Sequence, residues 1–421
     1  NSTFYILSST FFFMIAHVDA DSFFVSVLVR KHPKLAGKPV LAMGMGGGSV
    51  IAASYEAKAK GVRTGMRLSE AIKLCPDALQ VPSDFRETGL ASDQIESIIQ
   101  EHCPFIEKMS VDEWYLDLTS MVGGVPRNLS LFAESMRTAI LTRTHISVSV
   151  GVGQSKLLAK MAGEYRKPGG IAVITDAPVT IEKWAIERET FLRDRVAAAI
   201  PGIGRKRSIH TEEQGWHTAF DIATADPDTL IRLFGRPGRD MQRELNGEPL
   251  SPVSIDHGPP KSISRARSFR PTADRDLLFA HALRHMEYTS LKMRRQHLSC
   301  KGLSVWLRDD KYEYASSNRS LPEQSETEDQ LRPFVVSCFE SLFRKNRRYT
   351  QVGLNLWHLV PTSAKQYSLF QDPSVSEKDE RMQQALDSLH DRFGRDAITR
   401  GAALKVSSGT KRDFDLPIYG D

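Results

Sequence analysis

Short apolar runs in the first half of the chain end at acidic residues. The run IAHVDADSFFVSV (residues 15–27) predicts a strand that ends in acids and passes into a helix. MSVDEWYLDLT (109–119) predicts a second strand, and HISVSVGVG (145–153) predicts a third, followed by a helix in SKLLAKMAGEYRKPGG. A fourth short strand, IAVIT, ends at Thr175. Strands that alternate with helices and carry acids at their ends predict an α+β sheet.

The second half of the chain has a different pattern. Residues 199–246 predict short helices around the segment PGIGRKR, and Pro and Gly residues after Ser251 predict a linker. Four strand-like runs then follow, with helices predicted at 274–296 and 328–344, so a second α+β domain is expected. The four runs are SISRARSFR, LSCKGLSVWLRDD, YEYASSNRSL and QVGLNLWHLV. The tail carries QYSLF and then an amphipathic helix, MQQALDSLHDRF.

Composition adds few constraints to this pattern. The chain has 421 residues, with 56 Lys and Arg against 51 Asp and Glu, and the net charge of +5 permits polyanion binding without demonstrating it. Its 4 cysteines lie far apart without a CxxC pair, so we expect neither a zinc site nor disulfides, and a reducing cytoplasmic setting. The apolar residues 4–16 have no features of a signal peptide or membrane span. Met14 is the expected true start, after an N-terminal extension.

Three carboxylates are the first candidates for chemistry. Asp19 stands at one strand end and the pair Asp112 and Glu113 stands on another strand, so adjacent strands could bring them together. Clustered carboxylates repel unless a cation neutralises them, and hard oxygen ligands select Mg²⁺ or Mn²⁺. The alternative, that these are solvated acids at strand ends, stays open.

Cationic and glycine-rich segments suggest contacts with phosphate. Tyr55 and Lys58 are spaced to share a helical face, and with the later Arg166 and Lys167 they could bind a triphosphate. PGIGRKR has the form of a helix-hairpin-helix turn, whose glycines let main-chain amides approach a DNA phosphate; an ordinary turn is the alternative. The candidate residues in that turn are Gly202, Gly204, Arg205 and Lys206.

The second domain and the tail offer further candidate surfaces. Arg265 and Arg267 lie on one strand face, and with later cations they could follow a phosphate backbone, although a plain solubility surface is the alternative. Those later cations are Lys292, Arg294, Arg295, Lys301 and Arg308. QYSLF, with Gln366, Leu369 and Phe370, displays apolar anchors typical of a peptide that binds a groove. Packing of the tail on its own domain is the alternative.

Seven motifs in one order resemble the Y-family translesion DNA polymerases of the bacterial DinB/UmuC type, from about residue 15 to residue 400. They are HVDADSFF, ASYEAKAKGVRTGM, SVDEWYLDLT, GVGQSKLLAKMAGEYRKPGG, PGIGRK, KSISRARSF and QYSLF. The resemblance implies an α+β multidomain right-hand fold. Its implied parts are an extension (1–13), palm (14–30 and 83–180), fingers (31–82), small helical thumb with the helix-hairpin-helix (181–250), linker (251–260), α+β little finger (261–361) and C-terminal tail with the clamp-binding motif (362–421).

The resemblance also implies roles for residues. Asp19, Asp112 and Glu113, with the main-chain carbonyl of Ala20, would hold two Mg²⁺ ions, for which Mn²⁺ could substitute. Phe24, beside Phe23, would be a steric gate that excludes a ribose 2′-hydroxyl. The remaining implied roles are triphosphate binding by Tyr55, Lys58 and Lys167, DNA binding by the thumb turn with Arg265 and Arg267, and sliding clamp (β clamp) binding by Gln366, Leu369 and Phe370.

The sequence departs from the family pattern at a few positions near these motifs. Ala20 and Ser22 replace larger residues, Lys58 stands where Arg is common, and Trp114 follows the acidic pair where a small residue is usual. We expect Trp114 to crowd the neighbouring strand. No metal ligand is lost, so activity is expected.

The expected function is template-directed, error-prone DNA synthesis past damaged template bases. The primer 3′-hydroxyl would attack the α-phosphate of a dNTP, and small residues would leave the roof over the new base pair open: Gly44, 46–48, Ala52, Ala53 and Ser54. The protein would be a cytoplasmic monomer without membrane contact, at the nucleoid when bound to primer-template DNA. One alternative is a non-catalytic scaffold of the same fold, which Trp114 alone favours; the other is a metal-dependent nuclease, against which the triphosphate-binding set argues.

Overall fold

The computed structural model describes residues 13–44, 48–176, 183–255, 258–364, 373–394, 397–399, 401–403 and 406. These residues fall into two compact units, an N-terminal unit that ends by residue 256 and a C-terminal unit that begins at residue 257. Each unit has its own elements and its own core, and each is described separately.

The N-terminal unit contains both strands and helices. Its strands are β1 (Ile15–Ala20), β2 (Val40–Met43), β3 (Val50–Ala53), β4 (Leu79–Pro82), β5 (Ile106–Lys108), β6 (Glu113–Asp117), β7 (Val148–Gly153), β8 (Ile171–Thr175) and β9 (Ala185–Glu187). Its helices are α1 (Phe23–Lys31), α2 (Tyr55–Ala59), α3 (Leu68–Leu74), α4 (Phe85–His102), α5 (Leu129–Thr144), α6 (Lys156–Tyr165), α7 (Arg188–Asp194), α8 (Arg205–Glu213), α9 (Ala219–Ala223), α10 (Pro227–Phe234) and α11 (Arg236–Leu245).

A central sheet organises this unit. Within the described residues its strand order is β5-β6-β1-β7-β8-β9, and β1 pairs antiparallel with both β6 and β7. Every residue of β1 is buried. One face of the sheet packs on α4 and α5 through residues such as Ile95 and Met136, and the other face packs on α6 through Leu158 and Met161. The predicted α+β sheet is confirmed.

Helix α6 lies unusually close to the sheet because β7 contains glycine where the helix crosses. A Cβ on Gly151 would stand 2.1 Å from the carbonyl oxygen of Ala159 and 2.1 Å from the amide nitrogen of Gly163, so only glycine fits there. This close packing carries the polar residues of α6 next to the end of β1.

A smaller sheet and a helical segment complete the N-terminal unit. The smaller sheet has the order β3-β2-β4 among the described strands, with β2 and β4 parallel. Ser54 caps α2, since its hydroxyl accepts a hydrogen bond from the amide of Ala57. Helices α7, α9, α10 and α11 pack into the core that lies under α6, through residues such as Phe191, Ile222 and Leu230.

The C-terminal unit is a sheet covered on one face by helices. Its strands are β10 (Ser262–Thr272), β11 (Leu298–Asp309), β12 (Tyr314–Ser325) and β13 (Tyr349–Pro361); its helices are α12 (Arg275–Arg294), α13 (Glu328–Leu342) and α14 (Pro373–Phe393). The strand order is β10-β13-β11-β12 among the described residues, and each pair is antiparallel. The four predicted strands and the two predicted helices between them are confirmed. No helix in the described parts of either unit is long and apolar enough to cross a membrane.

Candidate active site

Two of the three predicted acids lie side by side where β1 and β6 meet. Asp19 and Glu113 are direct partners across the two strands, and His17 shares the face of Asp19 because side chains alternate along a strand. The ligand atoms of His17, Asp19 and Glu113 all lie within 4.8 Å of one another. The main-chain carbonyl of Asp112 accepts a hydrogen bond from the amide of Ala20 at 2.9 Å. The carboxylate of Asp112 accepts a hydrogen bond from Ser110 and is not a member of that group.

Two lysines neutralise these acids. The Nζ of Lys167 lies 2.6 Å from Oδ1 of Asp19 and 2.6 Å from Oε1 of Glu164. Lys160 of α6 contacts the carboxylate of Glu113. Burial raises the pKa of Asp19 to about 7, although Lys167 opposes the shift. The neighbouring His17 ring and the Lys160 ammonium lower the pKa of Glu113. Burial alone would lower the pKa of Lys167, but Asp19 and Glu164 raise it above its usual range.

The chemistry of this group suits a divalent cation. Mg²⁺ is commonly bound by one or two carboxylates with water and substrate phosphates filling the other positions. Asp19 and Glu113 supply the two carboxylates, and the lysine contacts show that this position already attracts positive charge. Neither ring nitrogen of the buried His17 has a hydrogen-bond partner among the described residues, and its Nε2 lies 3.7 Å from Glu113, too far for a hydrogen bond.

The predicted triphosphate-binding residues lie beside the acids. The hydroxyl of Tyr55 donates a hydrogen bond to Asp21 at 3.3 Å, and the ammonium of Lys58 donates one to Ser22 at 2.8 Å. Burial lowers the pKa of Lys58, and the nearby Lys167 ammonium lowers it further. The start of α2 therefore faces the turn between β1 and α1. Arg166 instead lies over aromatic rings.

The two phenylalanines after this turn have different surroundings. Phe24 is half-buried, and its ring meets the exposed Phe85 edge-on at 5.8 Å between ring centroids. Phe23 has only 2% of its surface exposed and belongs to the core under the sheet. The prediction of nucleotide binding by Phe23 is corrected for its side chain, since helical geometry points neighbouring residues in different directions.

Trp114 is accommodated without disturbing the sheet. Its side chain is fully buried in the core, on the face opposite Glu113, and the pairing of Val18 with Trp114 keeps the regular register. The expectation that Trp114 crowds the neighbouring strand is wrong. The feature that favoured a non-catalytic scaffold is therefore removed.

The residues predicted to leave the roof over the new base pair open have different surroundings. Ala52 and Ala53 are buried in separate cores on the two sides of the small sheet, so their side chains are not exposed, and the open roof over the new base pair stays a prediction. Ser54 is the cap of α2. Gly44 and Gly48 lie in the described part of the chain, whereas residues 45–47 lie outside it.

The predicted thumb turn adopts a conformation that requires glycine. Gly202 has φ +99°, and its carbonyl accepts a hydrogen bond from Arg207 at 3.0 Å. Gly204 precedes the first residue of α8, Arg205. Arg205 and Lys206 are both exposed, so their charges lie at the start of a helix and in solvent.

The cations predicted on the second domain differ in their surroundings. Arg265 and Arg267 share a strand face, but it is the face of the buried Ile263, toward α12, and Arg265 lies over the Tyr288 ring at 3.9 Å. Arg294 pairs with Asp387 of α14 at 2.7 Å, and Arg295 pairs with Asp391. Arg267 itself is exposed, and DNA binding by Arg265 and Arg267 stays a prediction. Gln366, Leu369 and Phe370 lie outside the described residues.

Four polar residues around the site were not predicted from the sequence. They are His17, Asp21, Lys160 and Glu164. The alternation along β1 was a usable signal for His17, because residues two apart face the same way. For Lys160 the signal was its four-residue spacing from Lys156, which pairs with Glu107 at 2.5 Å on the same helical side.

Comparisons with known proteins identify the class of this fold. The impB/mucB/samB family matches residues 18–164, and the C-terminal domain of that family matches residues 260–369. A solved Y-family DNA polymerase chimera has a TM-score of 0.71 and 25% identity, over 83% of this chain and 99% of that one. The fold is thus that of a Y-family DNA polymerase.

Curated relatives narrow the class. DNA polymerase IV of Moorella thermoacetica is 31% identical over 92% of this chain and 95% of its own length, and that of Xanthomonas axonopodis pv. citri is 32% identical over 85% and 97%. DNA polymerase IV 1 of Halalkalibacterium halodurans is 28% identical over 96% of this chain and 98% of its own. The chain belongs to the DinB-type Y-family of bacterial translesion DNA polymerases, which are DNA-directed DNA polymerases.

Proposed function

We propose that this protein extends a primer past damaged template bases with frequent errors, by two-metal nucleotidyl transfer from a dNTP. The observation that carries this proposal is the direct pairing of Asp19 with Glu113, with Lys167 in contact with Asp19 and with Tyr55 and Lys58 at the adjoining turn. Carboxylates that could bind metal ions and side chains that could bind phosphate thus lie together at one end of β1.

The proposed roles follow from this arrangement. Asp19, Asp112, Glu113 and the main-chain carbonyl of Ala20 would hold two Mg²⁺ ions, and Mn²⁺ could substitute. When bound, these ions would activate the primer 3′-hydroxyl and neutralise charge on the leaving pyrophosphate.

Lys167, Tyr55 and Lys58 would hold the triphosphate. Lys167 is now paired with Asp19 and Glu164, so its ammonium would exchange a carboxylate for phosphate oxygens when dNTP enters. Phe24, supported by Phe85, would present the bulk that excludes a ribose 2′-hydroxyl.

The contacts with nucleic acid and clamp complete the proposal. Gly202, Gly204, Arg205 and Lys206 would bind a DNA phosphate through main-chain amides and exposed cations. QYSLF would bind the sliding clamp, and the tethering would raise the effective concentration of the polymerase at the primer. The enzyme would act as a monomer in the bacterial cytoplasm, at the nucleoid when bound to DNA.

A pull-down with the sliding clamp tests the partner. The full chain is compared with a variant that carries Leu369→Ala and Phe370→Ala together. Loss of clamp binding with unchanged primer extension supports the assignment, whereas equal binding refutes it.

Primer extension on paired templates tests the function. Templates that differ only by one damaged base are copied with Mg²⁺ and each dNTP singly, so that correct insertion, misinsertion and bypass are measured together. We expect insertion opposite the damaged base and measurable misinsertion opposite the intact one. Strict rejection of mismatches together with a stop at the lesion would refute error-prone bypass.

A further inference from the structure

Asp21 is a buried carboxylate that accepts four hydrogen bonds. Only 2% of its surface is exposed. Its Oδ2 accepts from the hydroxyl of Ser147 at 2.7 Å and from the amide of Gly169 at 2.8 Å. Its Oδ1 accepts from the hydroxyl of Ser149 at 2.8 Å and from that of Tyr55 at 3.3 Å. An ionised carboxylate has about four acceptor positions, so these donors fill them.

The four donors come from three separate segments around the proposed active site. Ser147 directly precedes β7. Ser149 lies in β7 and is the strand partner of Asp19. Gly169 follows Lys167 by two residues, and Tyr55 begins α2 of the smaller sheet region. Asp21 itself stands between the metal-binding end of β1 and the gate helix α1. One carboxylate therefore joins every segment that supplies a proposed triphosphate contact.

The loop that carries Lys167 is fixed by hydrogen bonds to both main-chain groups of Gly169. The amide of Gly169 donates to Asp21, and the carbonyl of Gly169 accepts a hydrogen bond from Arg137 at 2.6 Å. A Cβ on Gly169 would stand 3.0 Å from the hydroxyl of Ser147, and the residue has φ +65°, so its geometry is tightly restricted. The position of Lys167 thus depends on the hydrogen bond between Gly169 and Asp21.

Burying the Asp21 carboxylate is energetically unfavourable, so packing alone does not explain its position. Burying an ionised carboxylate is unfavourable unless hydrogen bonds replace its water. The nearby lysines have other contacts, since Lys167 pairs with Asp19 and Lys58 donates to Ser22. Uncharged donors therefore stabilise the Asp21 carboxylate, and neither lysine is needed to neutralise it.

We propose that Asp21 is a positioning residue for the incoming nucleotide: it fixes Tyr55 and the Lys167 loop relative to Asp19 before the triphosphate binds. This inference rests on the proposed function, because it assigns Tyr55 and Lys167 to the triphosphate. In this proposal Asp21 acts through these two residues and not through a contact of its own with substrate or metal. Pre-formed contacts lower the cost of ordering at binding, so loosening them weakens dNTP binding more than DNA binding.

The test is steady-state insertion of one dNTP by the full chain with Asp21→Asn. The asparagine keeps the shape and one acceptor oxygen, which can serve Gly169, but its NH₂ group cannot accept from Tyr55. We expect the KM for dNTP to rise about 10-fold, with kcat changed about 3-fold or less and with an unchanged Kd for primer-template DNA. Asp117→Asn is the matched control, because Asp117 likewise accepts several hydrogen bonds, three from local donors, but lies in β6, paired with Ile15 at the far end of β1.

A double-mutant cycle separates positioning from general damage. The double variant Asp21→Asn with Tyr55→Phe should show a smaller fold-increase in KM than the product of the increases in the two single variants. Both substitutions remove the same hydrogen bond, so their effects overlap. Multiplicative effects, a KM equal to that of Asp117→Asn, or a parallel loss of kcat and DNA affinity would each overturn the inference. Ser149→Ala, which removes one donor, is the second variant if Asp21→Asn does not fold, and its KM should rise with unchanged DNA affinity; an unchanged KM would overturn the inference. A wild-type chain that inserts no nucleotide would contradict the proposed function instead.

Discussion

Single residues at the end of β1 show how one environment gives two carboxylates different proton affinities. The pKa of Asp19 rises to about 7 through burial, whereas the pKa of Glu113 falls beside His17 and Lys160. A cation that enters between them stabilises both in the ionised form, and the lysines then become available to other anions. The site is therefore prepared for charge exchange with a metal-bound nucleotide.

Phe24→Ala tests the steric gate at this scale. Removing the ring that lies against Phe85 opens space for a 2′-hydroxyl, so kcat/KM for a ribonucleotide should rise by about 10- to 200-fold, the discrimination that one misfitting group gives in an apolar pocket. Single-nucleotide insertion of dNTP and rNTP measures the ratio. Phe23→Leu is the control, since Phe23 is in the core and its replacement should alter stability without altering sugar selection. An unchanged ratio in Phe24→Ala would exclude the gate.

Residue roles could be predicted from sequence where the pattern is local. The strand-end position of Asp19 and the Asp112–Glu113 pair pointed to acids, and β1 and β6 do bring Asp19 and Glu113 together. Asp21 was missed because its donors are more than 120 residues away in sequence for the serines and Gly169, and no local spacing reveals such partners.

At the scale of elements, helix α12 contains two buried histidines whose charge is suppressed. Burial lowers the pKa of His281 to about 4, with a contribution from Arg267, and burial with Arg265 lowers that of His285 to about 3. In the unfolded chain both have a pKa near 6.5. Between these values the unfolded state binds more protons, so the free energy of unfolding falls as the pH drops below about 6.5.

Equilibrium unfolding of the C-terminal unit at pH 7 and pH 5 measures this effect. Each histidine should remove about 2 kcal/mol of stability between these pH values. His285→Leu should show a smaller loss on acidification than the wild type. An identical pH dependence in the two proteins would contradict the proposed neutral state of His285.

The thumb turn gives a second prediction for an element. Gly202→Ala places a side chain at φ +99°, so it should destabilise the N-terminal unit by about 1 kcal/mol and also weaken primer-template binding by displacing the main-chain amides. Gly215→Ala is matched, since Gly215 has φ +71° at the other end of α8 and lies outside the turn. Thermal unfolding and the Kd for DNA separate the two effects. Equal DNA affinity in both variants would exclude the turn from binding.

Strands and helices were largely predictable because their hydrophobic periods are local. The surroundings of a strand face were not: the sequence placed Arg265 and Arg267 on one face, but only the structure shows that Arg265 lies over the Tyr288 ring of α12 while Arg267 is exposed. The ion pairs of Arg294 and Arg295 with α14 join segments about 90 residues apart, which no pattern in the sequence revealed.

For the whole molecule, the two units have separate hydrophobic cores. Leu116 belongs to the core of the N-terminal unit and Leu354 to that of the C-terminal unit, and both are fully buried. Each Leu→Ala change should cost about 2 to 5 kcal/mol, which corresponds to a decrease of about 5 to 15 °C in the Tm of its own unit. Differential scanning calorimetry of both variants measures which transition moves. A common shift of a single transition by either variant would show that the units unfold as one.

The measurement that bears most directly on the polymerase site is primer extension by Glu113→Gln beside Asp117→Asn, with Mg²⁺ and all four dNTPs. Both changes remove one carboxylate charge from β6, but only Glu113 faces Asp19. Glu113→Gln should lower kcat by about 100-fold or more while DNA binding is retained, and Asp117→Asn should extend like the wild type. If Glu113→Gln extends primers as fast as Asp117→Asn, the catalytic centre does not lie between β1 and β6.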